Sequence, residues 1–175
     1  CEKIAIESLK HFVSKEALNI DGFGKKIVEK FWELNLVKFP QDIFSLDFEK
    51  IKRFDGWGEL SVSNLKYSIE KSKKISLERF IYALGIRHIG QENARLLSQH
   101  LKNVENFCGL SKESNIEVLL NIDGIGETQI KSIKNFFSNK TNVSVLEKLN
   151  KIMTIYNAAI LKKDGILKNK AFMFT

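Results

Sequence analysis

Residues 19–26 read Asn19-Ile20-Asp21-Gly22-Phe23-Gly24-Lys25-Lys26, two glycines around one aromatic residue with two lysines behind them. Such a pair suits a nucleotide-binding turn, another kind of phosphate grip, or a plain bend between two helices. Recurrence along the chain narrows the choice. Aligned on the second glycine, the stretch returns as Phe54-Asp55-Gly56-Trp57-Gly58, Ile86-Arg87-His88-Ile89-Gly90 and Ile122-Asp123-Gly124-Ile125-Gly126. Seven of the ten glycines fall in these turns, at intervals of 34, 32 and 36 residues.

The register extends beyond the glycines. Four and seven residues downstream lie Val28 and Phe31, Val62 and Leu65, Ala94 and Leu97, Ile130 and Ile133. That spacing puts each pair on one face of a helix starting at the glycine. Upstream, Ala17-Leu18, Ile51, Ala83-Leu84 and Leu119-Leu120 give each turn the apolar end of a preceding short helix. The unit is helix, tight hairpin, helix. Its repetition predicts an all-α array of four such units packed as two pairs. Asp47 and Ser76 are expected to cap the helices before the second and third turns, and Ser114-Asn115-Ile116-Glu117 to open the next as a capping box. Residues 3–13 read as an added amphipathic helix and 143–152 as a closing one.

A chain of 175 residues with 43% hydrophobic content, thirteen phenylalanines and one proline can bury a core. The formal net charge of +7 favours a polyanionic partner. Of the 28 basic residues 24 are lysine, which suits general phosphate attraction better than bidentate base reading by arginine. No apolar run is long enough for a membrane span, so no membrane partner is expected. The two cysteines, Cys1 and Cys108, follow no pairing pattern, and a reduced, cytoplasmic protein is expected.

The turns lack what nucleotide binding requires. A dinucleotide fingerprint needs a third glycine and a preceding strand, but Ile27 fills the third position after Gly24. A Walker loop needs lysine followed by Ser or Thr after a longer glycine loop. A nucleic-acid backbone fits better. Glycine leaves no side chain between hairpin and ligand, and the helix behind it begins with unpaired N–H groups at a positive dipole end. The expected contacts are Gly22 and Gly24, Gly56 and Gly58, Gly90 with Arg87 and His88, and Gly124 and Gly126, with charge added by Lys25, Lys26, Arg95 and Lys131. The first and third turns are expected to dominate, because Glu59 and Glu127 follow the second and fourth. Phe23, Trp57, Ile89 and Ile125 are expected to turn inward, and Asp21, Asp55 and Asp123 to serve as turn-forming residues, their carboxylates turned from the phosphate toward hairpin N–H groups.

This pattern resembles the helix-hairpin-helix motif of DNA repair and replication proteins. Residues 79–94, RFIYALGIRHIGQENA, closely resemble the third such motif of bacterial NAD-dependent DNA ligases. The run from Cys1 to Gly22 is similar to that family's passage from its last zinc-ligand cysteine into the first hairpin, and residues 169–175 to the first strand of its BRCT domain. The resemblance implies residues 1–14 as a zinc-finger remnant and leading helix, 15–152 as the tandem DNA-binding domain, 153–168 as a linker and 169–175 as a truncated strand. It implies a monomeric part of a longer bacterial ligase, nucleoid-associated, whose partners are nicked duplex DNA and the ligase's other domains. No cofactor is expected within this chain. NAD, magnesium and zinc are implied for the intact enzyme, with Cys1 one of four zinc ligands and no catalytic residue here. Lys162-Lys163-Asp164-Gly165 matches the family's adenylation signature, but only ten residues follow Gly165, too few for the sheet that chemistry needs. Two alternatives stay open: the DNA-binding region of an excision nuclease or junction binder, and a helical protein-interaction module whose glycines are structural.

Overall fold

The computed structural model describes residues 1–159. Residues 160–175 lie outside it, and with them most of the expected linker, the Lys162–Gly165 match and the expected terminal strand. The chain opens with α1 (Glu2–Val13), which buries Leu9, Phe12 and Val13 on one face. A turn over residues 15–18, where a helix was expected, carries the chain into the first hairpin. Then follows α2 (Lys25–Glu33), burying Val28 and Phe31. A 3₁₀ segment, Pro40–Ser45, starts where Asp42 Oδ2 accepts from the N–H groups of Lys38 and Phe39.

The second unit pairs the short α3 (Phe48–Ile51) with α4 (Glu59–Ser72). Asp47 caps α3 as expected, accepting from Lys50 N–H at 3.2 Å. Then come β1 (Lys74–Ser76), α5 (Leu77–Ala83), capped by Ser76 through Arg79 N–H, and α6 (Gln91–Leu101). The last stretch holds α7 (Val104–Cys108), a 3₁₀ turn at Gly109–Ser111, α8 (Glu113–Glu117), a 3₁₀ turn at Val118–Asn121, α9 (Glu127–Ser138) and α10 (Lys140–Ile152).

The expected capping box at Ser114 is not formed. Helix α8 begins at Glu113 with Lys112 as its cap, so Ser114 sits inside the first turn. Glu113 so placed complements the helix dipole, which competes with a serine cap one residue later. The closing helix starts three residues earlier than expected, because Asn139 Oδ1 accepts from the N–H groups of both Thr141 and Asn142.

Where the linker was expected to begin, β2 (Thr154–Tyr156) instead pairs in parallel with β1, placing Ile155 beside Ile75. Thr154 N–H donates to Lys73 O at 2.8 Å, and Ala158 N–H to Lys102 O at 2.9 Å. Apart from this two-stranded patch, regular structure among the described residues is helical.

One hydrophobic core runs through all four units. Ala17, Phe31, Ile51, Leu77, Phe80, Ala94, Leu97, Leu119 and Ile133 are fully buried in it. These come from the positions marked by the repeat register and from the helices before the turns, so stacked units supply one another's missing faces. The leucine, isoleucine and phenylalanine side chains among them stabilise by about 1.5–3 kcal/mol each when buried.

Candidate nucleic-acid interface

The four glycine turns are one structure built four times. In each, the N–H of the residue between the glycine positions donates back three residues: Phe23 to Ile20 O at 3.2 Å, Trp57 to Phe54 O at 3.1 Å, Ile89 to Ile86 O at 3.0 Å and Ile125 to Ile122 O at 3.1 Å. The third residue of each turn has positive φ: Gly22 at 83°, Gly56 at 85°, His88 at 65° and Gly124 at 99°. With the second residue outside that region, these are type II turns, for which glycine is the usual third residue. Asp21, Asp55 and Asp123 occupy the second position and are exposed. Among the described residues the aspartate carboxylates that accept backbone N–H groups are Asp42 and Asp47 and not these three, so the turns close through the backbone, whereas the aspartates were expected to take part.

The first glycine of each pair is therefore explained inside the molecule. The second is not. Gly24, Gly58, Gly90 and Gly126 are helix caps with extended backbone that any residue can adopt. A β-carbon built on Gly24, Gly58 or Gly90 meets nothing within 4 Å. Behind each turn the helix starts in the same way, with Val28, Val62, Ala94 and Ile130 donating to Gly24, Gly58, Gly90 and Gly126 O at 2.9–3.1 Å. The N–H groups of Gly24, Gly58 and Gly90 donate to nothing among the described residues. Gly126 differs, since its N–H donates to Gln129 Oε1 at 3.0 Å.

The residues between the glycine positions anchor the hairpins. Phe23, Ile89 and Ile125 are buried as expected, and Trp57 is half-buried. Phe31 of α2 lies between Phe23 and Trp57, at ring distances of 5.5 and 5.9 Å, which joins the first and second hairpins. The third and fourth are joined by His88 Nδ1 and Ser132 Oγ of α9, 3.0 Å apart, and by Gly124, whose missing β-carbon would come within 2.8 Å of Leu96 Cδ1 on α6. His88 thus does structural work in a conformation that glycine holds elsewhere, and Asn93 Nδ2 steadies it by donating to His88 O at 2.9 Å.

The halves meet through residues not singled out in the sequence. Arg79 of α5 donates from Nε to Ala17 O at 2.9 Å and from Nη2 to Lys15 O at 2.5 Å, bracing the approach to the first hairpin. His11 of α1 packs on Tyr82 at a ring distance of 4.6 Å, with Nε2 2.6 Å from Tyr82 O.

The charges divide into paired and unpaired. Lys25 and Lys26 open α2, and Arg87 and Lys131 are exposed near their turns; none of these makes an ion pair among the described residues. Arg95 is held by Glu92, with Nη2 to Oε2 at 2.5 Å. The hydrogen bond from Arg95 holds the Glu92 carboxyl below its ordinary value and raises the guanidinium. Glu59, Glu92 and Glu127 lie in the first turns of α4, α6 and α9, where acids suit the dipole, whereas α2 carries two cations there.

Cys1 is exposed and supplies one thiolate where a tetrahedral zinc site needs four ligands. Among the described residues no group of three or more His, Cys, Asp or Glu could hold a metal, and no helix is long and apolar enough to cross a membrane. Cys108 is half-buried, and burial raises its thiol pKa.

Residues 79–146 match the helix-hairpin-helix motif family, a span covering the third and fourth units. The whole chain is similar to part of the protein named DNA ligase in Pelagibacter ubique (strain HTCC1062), at 65% identity over 175 residues, 100% of this chain and 26% of that protein. It is 41% identical over 187 residues to the DNA ligase of Rickettsia bellii (strain RML369-C), covering 27% of it. Against the DNA ligase of Wolbachia pipientis subsp. Culex pipiens (strain wPip) the identity is 40% over 180 residues, again 27% of the relative. The chain spans about a quarter of the length of these curated relatives. These findings support a helix-hairpin-helix region of a DNA ligase.

Proposed function

We propose that this region grips the sugar–phosphate backbone of duplex DNA around a nick, without reading sequence, so that the catalytic part of a DNA ligase can seal it. The second glycine of the first three turns carries the proposal. Neither its backbone conformation nor its surroundings require glycine, yet it recurs at the exposed start of each helix. An outside backbone approaching to hydrogen-bond distance of the free N–H groups supplies the missing reason. Lys25 and Lys26 add to it, since two cations at a positive helix end work against the helix and favour a bound phosphate. Contacts of this kind position a duplex and leave the bases unread.

Sealing itself would belong to other domains of the longer protein, the partners of this region. NAD-dependent adenylation of a lysine and magnesium-assisted transfer would occur there, and this region would contribute to rate by holding the substrate in place. Cys1 would join three further ligands around zinc in that protein. A monomer working in the cytoplasm, at the nucleoid, fits such a role.

Titrating the chain by fluorescence anisotropy against intact and nicked duplexes of unrelated sequence tests the reading. Neutralising four to eight phosphates gives a slope of log affinity against log salt of roughly −4 to −7. Binding that ignores salt, or no binding at low salt, would favour a protein-interaction module.

A further inference from the structure

Beside the first hairpin lies an open groove of about 710 Å³ that the glycine turns do not account for. It is lined by the hairpin at Gly22, by Asn64, Tyr67 and Lys71 of α4, and by Lys74 of β1. We infer that this groove is a second contact surface for the same DNA, in which Lys71 and Lys74 meet phosphates and Tyr67 meets the backbone beyond the one gripped at Gly24. The inference rests on the DNA-binding reading above and extends it to residues outside the helix-hairpin-helix turns.

Three observations carry it. Tyr67 is 69% exposed, and its hydroxyl makes no hydrogen bond among the described residues. A large aromatic ring left in water with an idle hydroxyl suits a partner that is apolar on one side and polar on the other. Asn64, Tyr67 and Lys71 follow one another at helical spacings of three and four residues, so one face of α4 presents an amide, a phenol and an ammonium to the groove. Lys71 and Lys74 make no ion pair among the described residues, whereas neighbouring Lys73 is held by Glu70 at 2.9 Å.

Charge decides the occupant. The lining holds Lys71, Lys74 and Arg79 against Asp21 alone, a balance that favours a polyanion over an acid-poor protein surface. Arg79 is already committed to Ala17 and Lys15 carbonyls, which leaves the two lysines to meet phosphate. Continuity names the polyanion, because Gly22, which lines the groove, lies two residues before the cap at Gly24. A strand held at that helix start would lie next to residues of the groove wall.

The test measures affinity and salt slope for a duplex of about 30 base pairs with the Lys71→Ala/Lys74→Ala and Tyr67→Ala variants, long enough to span several phosphate contacts. Lys25→Ala reports on the hairpin, and Lys148→Ala/Lys151→Ala, on exposed α10, gives the effect of lost charge alone. The groove lysines are expected to weaken binding about tenfold and to flatten the slope by about 0.9 per phosphate released. Tyr67→Ala is expected to weaken binding severalfold with the slope unchanged. If the groove variants match the α10 control while Lys25→Ala weakens binding, the groove inference is overturned and the hairpin reading stands. If the unaltered chain fails to bind duplex, both fall. All these side chains are exposed, and circular dichroism confirms that each variant keeps its helices.

Discussion

At the scale of single residues, the two glycines of one turn separate stability from binding. Gly22→Ala places a β-carbon at φ 83° and is expected to cost about 1 kcal/mol in urea unfolding. Gly24→Ala has extended backbone and open space, so it should leave stability unchanged while its methyl group blocks the approach to the free N–H groups. DNA affinity should fall for Gly24→Ala and further for Gly24→Asp, with helical content kept; lost helicity would make the second glycine architectural. A second residue-scale prediction concerns Arg95. Its pairing with Glu92 persists above the ordinary carboxylate value of 4.5 and comes apart only as pH falls through the lowered value. Titration near neutrality therefore leaves the pair intact, and Glu92→Gln is the change that releases the guanidinium. Duplex affinity is expected to rise by about twofold to fivefold, the modest gain of freeing one exposed cation. The glycines were legible in the sequence because a tight turn is local chemistry repeated at a fixed interval. The strained His88 was not, since its conformation is held by Ser132 and Asn93 from other parts of the chain.

Among the elements, α2 bears the most on how two hairpins are held together. Phe31 is fully buried with Phe23 on one side and Trp57 on the other. Phe31→Ala should cost about 3–5 kcal/mol, because the cavity lies where two units meet and neither can collapse into it alone. Unfolding by denaturant measures the cost, and an effect below 1 kcal/mol would show that the units are packed independently. Helix faces and the caps at Asp47 and Ser76 were readable, being set by spacing and by a side chain's reach to its own backbone. The start of α8 was misread because the dipole complement at Glu113 shifted the cap two residues earlier, from Ser114 to Lys112, against an equally plausible serine cap. The β1–β2 pair left no periodic trace, since each strand is three residues long and 77 residues of chain lie between them, so only tertiary packing brings Ile155 beside Ile75.

For the whole molecule, the core joins all four units, and β2, with Ala158 just beyond it, fastens the end of the described chain to the middle through Lys73 and Lys102 carbonyls. A chain ending at Ile152 loses those bonds and uncovers buried Ile75, so it should melt several degrees lower, about what 1–2 kcal/mol produces in a domain of this size. An unchanged melting temperature would make the strand pair incidental. The stacking of four units was legible from their interval, while the braces between halves were not: Arg79 and His11 carry no local pattern and act through partners far along the chain. Arg79 has a mechanical consequence. By fastening α5 to the carbonyls ahead of the first hairpin, it holds the first and third units in one arrangement. On the proposed DNA-binding reading, the molecule would act as a fixed-jaw caliper, and a duplex wound to another gauge would meet one jaw at a time.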